Sequence, residues 1–456
     1  MKNNNVFKLL ALFLSIAVGT LFTACKDEPD KYETAGGTPT IDYVRALSTE
    51  IQSVNDEADM HYTMGELVTS ASPQSVLCFV GKNFRSVVEV YFNDLKAVLN
   101  SSYITDNTMI VQVPKNVPGE VSNKVYFICK NGKTIEYDFE VVIPAPTVNT
   151  MSCEYAAPGT TAYIYGNYFI DDPNVPLTVE FPDGTLAEDV EADETFSTIS
   201  FTVPDCKVEG PIKVTSIYGE TESKFHYLDT RGMLFDFDGV TGLSNHGWHD
   251  RAIESDETSI TGNYMMLGDG STTLGEDAAW NDSKFSFEYW PGDWTTPVSY
   301  PDGNGKKLTE LADFDNWENM AYKFEMNIPA EYPWKAGAMQ IIVGGVELIT
   351  MGAAGVDVDG VTVPGCNNTY FQNDELPRAL YRPCTDTGSF DTGGKWITVT
   401  IPIKSSFIYG MSGAPATGSL NPDSFTSLGL FVVGGGVNGT ECTPLIKIDN
   451  IRCVPN

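Results

Sequence analysis

The sequence predicts an all-β protein: two small β-sandwiches in tandem followed by a larger, jelly-roll-like β-sandwich. Three observations carry this. Almost no stretch holds a 3.6-residue period, whereas short runs rich in Val, Ile, Tyr, Phe and Thr recur between clusters of Gly, Pro, Asn and Asp. Residues 39–143 can be laid over residues 144–228 as an internal repeat. All seven tryptophans fall after residue 240, so composition steps sharply at a third segment, 229–456. A chain of 456 residues exceeds one comfortable core, and two to four domains are expected.

Residues 1–24 carry only Lys2 and Lys8 as charges, and Val6 to Phe22 is almost wholly apolar, the layout of a secretory signal. Thr23-Ala24-Cys25 resembles a bacterial lipobox, which makes Cys25 the expected lipid attachment site. Lys26-Asp27-Glu28 resembles the tag that exports Bacteroidetes lipoproteins to the cell surface. The expected location is the outer membrane, lipid-anchored and facing the exterior. Residues 25–38, with Pro29, Gly36 and Gly37, read as the lipidated cysteine and a flexible tether.

Losing the signal takes the net charge from −33 to −35, because two lysines and no acid are removed. Nucleic acid and anionic glycans are poor partners for such a field, while a neutral ligand is not penalised. Cys25 aside, eight of the nine cysteines remain: Cys78, Cys129, Cys153, Cys206, Cys366, Cys384, Cys442 and Cys453. Disulfides within each segment and buried free thiols both stay open, since spacing cannot fix a connectivity.

In the repeat, Gly81-Lys82-Asn83-Phe84 matches Gly166-Asn167-Tyr168-Phe169. Val88 to Phe92 matches Leu177 to Phe181, and Val111-Gln112-Val113-Pro114 matches Phe201-Thr202-Val203-Pro204. Val117-Pro118-Gly119 and Val208-Glu209-Gly210 then precede a last pair of strands around a Gly turn. Both units resemble the TIG/IPT type of immunoglobulin-like domain, which packs two antiparallel sheets and usually serves as a spacer. Extra material near residues 48–70 of the first copy is expected to be a loop, and Pro144 and Pro146 should stiffen the junction.

Eight strands are predicted in the third segment: Met233 to Phe237, Tyr264 to Leu267, Lys284 to Tyr289, Tyr322 to Ile328, Met339 to Val343, Trp396 to Ile403, Leu428 to Val433 and Leu445 to Ile451. Within Lys284 to Tyr289, Phe285, Phe287 and Tyr289 alternate onto one face, leaving Trp290 on the other or at the strand's end. The C–H face of a sugar ring packs on an aromatic plane, and its hydroxyls take hydrogen bonds from amides and acids. Trp280, Trp290 and Trp294 lie among Asn, Asp, Gly and Thr, and are the first candidates for such contacts. Trp334 lies in a Pro-containing loop, and Trp248 between His246 and His249. Trp396 reads as core, and Trp317 as either. Two histidines three apart do not make a metal site. A calcium ion on Asp236 and Asp238 has no support from the sequence beyond the acids themselves, and no cofactor is expected.

The lipobox with its acidic tag, the tandem TIG-like units, and a terminal domain opening Phe235-Asp236-Phe237-Asp238-Gly239-Val240 with a Trp-rich stretch together resemble the surface glycan-binding proteins of Bacteroidetes polysaccharide-utilisation loci. The resemblance implies a monomer that binds a neutral β-glucan, xyloglucan or mixed-linkage glucan. It also implies a platform of adjacent aromatics at Tyr289 and Trp290, and delivery to an outer-membrane importer or a surface glycan-binding partner. Two other classes stand beside it. A glycoside hydrolase needs two carboxylates about 5–10 Å apart; Asp293, Asp313, Asp315, Glu318 and Glu347 are available, with no motif that singles out a pair. A surface adhesin would use the tryptophans as a protein-binding hot spot.

Overall fold

The computed structural model describes residues 36–54, 57–280, 284–292, 306–345, 374–436 and 438–456. The signal segment, Cys25, Asp293, Trp294, Glu347 and Cys366 lie outside these residues. Apart from one α-helical turn, Ile403–Ser406, and short 3-10 turns, the described elements are strands, so the chain is all-β. By contacts it divides into two compact units, 1–144 and 145–456.

In the first unit, a sheet ordered Glu57–Leu67, Thr40–Val54, Val76–Lys82, Thr108–Gln112 faces one ordered Leu95–Lys96, Val87–Phe92, Lys124–Cys129, Thr134–Asp138. Phe79 packs between them against Phe92, Phe127 and Phe139. The stretch expected as a loop near 48–70 is instead a hairpin. Thr40–Val54 pairs with Glu57–Leu67 from Arg45↔Leu67 to Val54↔Glu57. Its strand-favouring residues Ile51, Val54, Tyr62 and Thr63 are spread along two antiparallel runs, which a reading centred on its polar residues overlooks.

The repeated G-x-x-F turn has a steric cause. A Cβ on Gly81 would lie 1.8 Å from the Thr40 carbonyl oxygen, and one on Gly166 would lie 1.8 Å from that of Thr147. The third residue of each turn, Asn83 (φ 62°) or Tyr168 (φ 61°), is left-handed, and the turn drops Phe84 or Phe169 into the core with 0% exposure.

The second unit contains two sandwiches. In the smaller, Thr147–Met151, Thr161–Asn167, Thr198–Thr202 and Glu188–Ala192 face Thr178–Glu180, Gly210–Ser216 and Gly219–Tyr227. The larger joins Ile253–Glu254, Tyr264–Gly268, Leu445–Pro455, Met320–Asn327 and Ile397–Pro402 in one sheet, with Met233–Phe235 also on Leu445–Pro455. Its opposite sheet is ordered Ser286–Tyr289, Ser427–Val432, Met339–Gly344, Arg378–Tyr381.

The two sandwiches are fastened by charge as well as by apolar contact. Met233, Ile260 and Trp396 of the larger one pack against the core of the smaller. Trp396 is therefore half-buried at this junction, its indole N–H donating to the Thr258 carbonyl at 2.6 Å, rather than in its own sandwich's core. Beside it Glu154 receives Lys323 (2.5 Å) and Arg452 (2.7 Å), and Arg452 also binds Glu325 (2.8 Å). Seven cysteines, Cys78, Cys129, Cys153, Cys206, Cys384, Cys442 and Cys453, are buried free thiols.

The same junction predicts an acid response. The Thr258 hydroxyl holds Asp256 well below the usual carboxylate range, partial burial opposes it, and Tyr264 and Lys447 reinforce it. A depressed folded pKa adds stability above the unfolded value of about 3.9 and loses it as pH falls towards the folded value. Asp256→Asn should therefore show a smaller drop in urea midpoint than the parent as pH is lowered from about 5 to about 3.

Candidate functional site

The candidate site is the outer face of the four-stranded sheet of the larger sandwich. Cross-strand partners share a face, and the pairings Ser286↔Phe431, Gln340↔Phe431 and Gln340↔Leu380 define one outer row. Glu288↔Gly429, Ile342↔Gly429 and Ile342↔Arg378 define the next. Phe287, Tyr289, Ile341, Leu428, Leu430 and Ala379 point the other way, into the core.

Trp290, Ile342 and Phe431 form a separate apolar cluster on the outer face, with Trp248, Leu376 and Val433 packed on it. Two tryptophans rest on this foundation. Trp280 is stacked on Phe431, centroids 5.1 Å apart at 29°, and is 48% exposed. Trp248 meets Trp290 edge-on at 5.4 Å and is half-buried. Gly429 makes the arrangement fit, since a Cβ there would lie 2.5 Å from Phe431 Cε2.

Trp248 is positioned by long-range pairing. His246 lies parallel to Tyr289, its N–H donating to the Glu288 carbonyl at 2.9 Å, while the Trp290 N–H donates to the His246 carbonyl at 3.1 Å. The fully buried Glu288 carboxylate accepts the His249 backbone N–H at 3.1 Å, and its other oxygen lies 2.9 Å from His249 Nδ1. Gly247 allows the close approach, as its Cβ would sit 2.2 Å from that of Glu288. The His-Gly-Trp-His run is thus a clamp on a buried carboxylate. Polar groups continue across the sheet: Arg378 donates to Gln340 at 2.8 Å, Gln340 donates to the Val433 carbonyl at 2.9 Å, and the Arg382 guanidinium lies 5.3 Å from the Tyr409 ring centre.

Three candidates fall elsewhere than the sequence suggested. Tyr289 is 2% exposed in the core, its hydroxyl donates to the Lys306 carbonyl at 2.6 Å, and burial pushes the phenol pKa up. Tyr289 and Trp290 therefore lie on opposite faces of the sheet and cannot form one platform. Trp290 is on the outer face, yet only 1% exposed, because Trp248 and its neighbours cover it. Trp334 is 0% exposed: its loop is held by a bridge to Phe390, and its indole N–H donates to the Ala336 carbonyl at 2.6 Å. Trp294 lies outside the described residues. Phe431, Gln340, Arg378 and Tyr409 were not singled out from sequence; Phe431 sits in the apolar run Leu430 to Val433, where nothing local marks the outward residue.

Of the acids suggested for a hydrolase, Asp313, Asp315 and Glu318 are exposed in the turns before Met320 and lie off this face. Among the described residues, one trio of metal-ligating side chains comes together, Glu209, His226 and Asp229. Arg231 already binds both Asp229 oxygens at 2.8 Å, and Thr230 occupies Glu209.

A half-exposed tryptophan on a sheet face, backed by buried aromatics, offers a plane on which the C–H face of a sugar ring can stack. Residues 227–455 match the family described as the surface glycan-binding protein B xyloglucan-binding domain. The chain is also 43% identical to the crystal structure of surface glycan-binding protein PbSGBP-B from Prevotella bryantii. That likeness covers 92% of this chain and 99% of the other, with a TM-score of 0.70. The chain belongs to the surface glycan-binding protein B family. An SGBP-B from a complex xyloglucan utilization locus in Bacteroides uniformis aligns at 16% identity over 92% of this chain and 100% of its own, with a TM-score of 0.42. An IPT/TIG domain-containing protein of Bacteroides ovatus is 26% identical over 209 residues, 43% of this chain. The matched part spans 39% of that curated relative's length.

Proposed function

We propose that this chain is a non-catalytic, lipid-anchored surface protein that captures a neutral β-glucan on the outer face of its terminal sandwich. Xyloglucan is the first candidate ligand and mixed-linkage glucan the second. The observation that carries the reading is Trp280, half-exposed and stacked on Phe431, inside the domain that matches a xyloglucan-binding family. Trp280 and Trp248 are the proposed ring contacts, and Trp294 stays with them. Trp290 supports them from below, and Tyr289 and Trp334 hold the core. Cys25 carries the proposed lipid, and the proposed recipient is an outer-membrane importer or a surface partner.

Each stacked ring contributes about 0.5–1.5 kcal/mol by analogy with other aromatic contacts, so stacking of two or three rings alone gives an affinity of about millimolar or weaker. Many copies on one cell would raise the avidity. Isothermal titration of the chain from Lys26 onward against xyloglucan, mixed-linkage glucan, laminarin and mannan tests the reading. Saturable heat with xyloglucan, and no release of reducing ends on prolonged incubation, is expected. Reducing ends would make it a hydrolase, and silence towards all four glycans from folded protein would favour a protein-binding adhesin.

A further inference from the structure

Where the larger sandwich begins and ends, it buries two acids, Asp236 and Asp449, that form no ion pair with a side-chain cation among the described residues. Phe235 pairs with Ile451, so Asp236 and Asn450 are the next residues on the two facing strands, with Asp449 beyond. Asp449 is 0% and Asp236 6% exposed. The segment 261–263 ties this end together. Thr261 donates to Asp449 Oδ2 at 2.8 Å, and the Asn450 amide donates to Thr261 at 2.9 Å. The Asn263 backbone N–H and side-chain amide donate to Asp238 Oδ1 at 2.7 and 2.9 Å.

Nearby cations are committed elsewhere: Arg452 and Lys323 to Glu154 and Glu325, and Lys447 to Asp256. Asp449 already accepts the Thr261 hydroxyl on one oxygen and its neighbour's N–H on the other, at 2.7 Å. Asp236 accepts the Val240 N–H on Oδ2 at 2.9 Å, but its Oδ1 is sealed from solvent with no hydrogen-bond partner among the described residues. An ionised carboxylate is not left buried and unpaired without a large desolvation penalty. Carboxylates, a hydroxyl, amide oxygens and loop carbonyls are a hard, all-oxygen donor set, which suits calcium rather than a softer metal.

We infer that Asp236 and Asp449, with oxygens of the 236–240 and 261–263 segments, hold a divalent cation of the calcium class that fastens the first and last strands of the larger sandwich. The site lies on the sheet opposite the glycan face, so cation binding and glycan binding are separable. Calcium titration of the EDTA-treated, dialysed chain, by calorimetry and by thermal unfolding, tests it. One calcium ion per chain should be taken up saturably, with unfolding moved to higher temperature by calcium and back by EGTA. Asp236→Asn and Asp449→Asn should each weaken uptake at least tenfold, while Asp205→Asn, in an exposed surface pair, should leave it unchanged. If Asp449→Asn fails to fold, Asp236→Asn decides. Identical unfolding in calcium and EGTA, or uptake unaffected by Asp236→Asn, would overturn the inference.

Discussion

Glu154→Gln should destabilise the second unit by about 3–5 kcal/mol, the range for breaking a buried ion pair by removing one partner. Glu154 is 2% exposed, and its two oxygens are divided between Lys323 and Arg452, which are 5% and 0% exposed. With Glu325, 0% exposed, these side chains form a neutral set of two cations and two anions. Thr398 completes it, accepting the Glu154 backbone N–H at 2.7 Å and donating to Glu325 at 2.9 Å. Glutamine keeps the shape but leaves one net positive charge in a dry interface. A urea midpoint lowered with an unchanged slope would match this account. Lys323→Met in the Glu154→Gln background should recover part of the loss, and a double-mutant cycle measures the coupling. An unfolding free energy within about 0.5 kcal/mol of the parent would refute it.

The same network bears on how glycan binding is measured. A fragment cut at Asp229 would leave Glu154 behind and expose Met233, Ile260 and Trp396, which pack against the smaller sandwich. Such a fragment should unfold at lower urea than the intact chain, so a silent titration with it would say little about the outer face. The smaller sandwich thus supplies part of the packing and charge pairing of the larger one.

How far the sequence led depended on the range of the interactions. Each of the eight strands read from local alternation in the third segment has its counterpart, as Lys284 to Tyr289 has in Ser286–Tyr289 and Leu445 to Ile451 in Leu445–Pro455. Among the described residues two further strands escaped: Ile253–Glu254 is only two residues long, and Arg378–Tyr381 opens on a buried arginine. The repeat was legible because Gly81 and Gly166 answer the same short-range clash. Facing was legible too, since Phe287 and Tyr289 go inward and Trp290 outward. What covers a face was not. Trp290 is sealed by a segment more than 40 residues earlier, through the pairing of His246 with Tyr289. Glu154 meets Arg452 across almost 300 residues. No local spacing contains either contact.

That division between facing and covering predicts opposite phenotypes for two tryptophans that look alike in the sequence. Trp290→Ala removes a 1%-exposed indole from beneath Trp248 and beside Phe431 and Ile342, and should cost about 3–5 kcal/mol of stability. Any loss of glycan affinity in that variant would follow from the collapse of its support. Trp280→Ala removes a ring with about half its surface in solvent and a single stacked partner, Phe431. Its stability should change by less than about 1 kcal/mol, while xyloglucan affinity should fall at least tenfold, about 1.4 kcal/mol. Tyr289→Phe separates the two effects further. It deletes only the hydrogen bond to the Lys306 carbonyl, so about 1 kcal/mol of stability should go and the affinity should stay. Urea unfolding and xyloglucan titration of all three variants read both quantities. If Trp280→Ala kept full affinity while Tyr289→Phe lost it, the ligand would have to approach from the core side of the sheet, and the outer face would be the wrong surface.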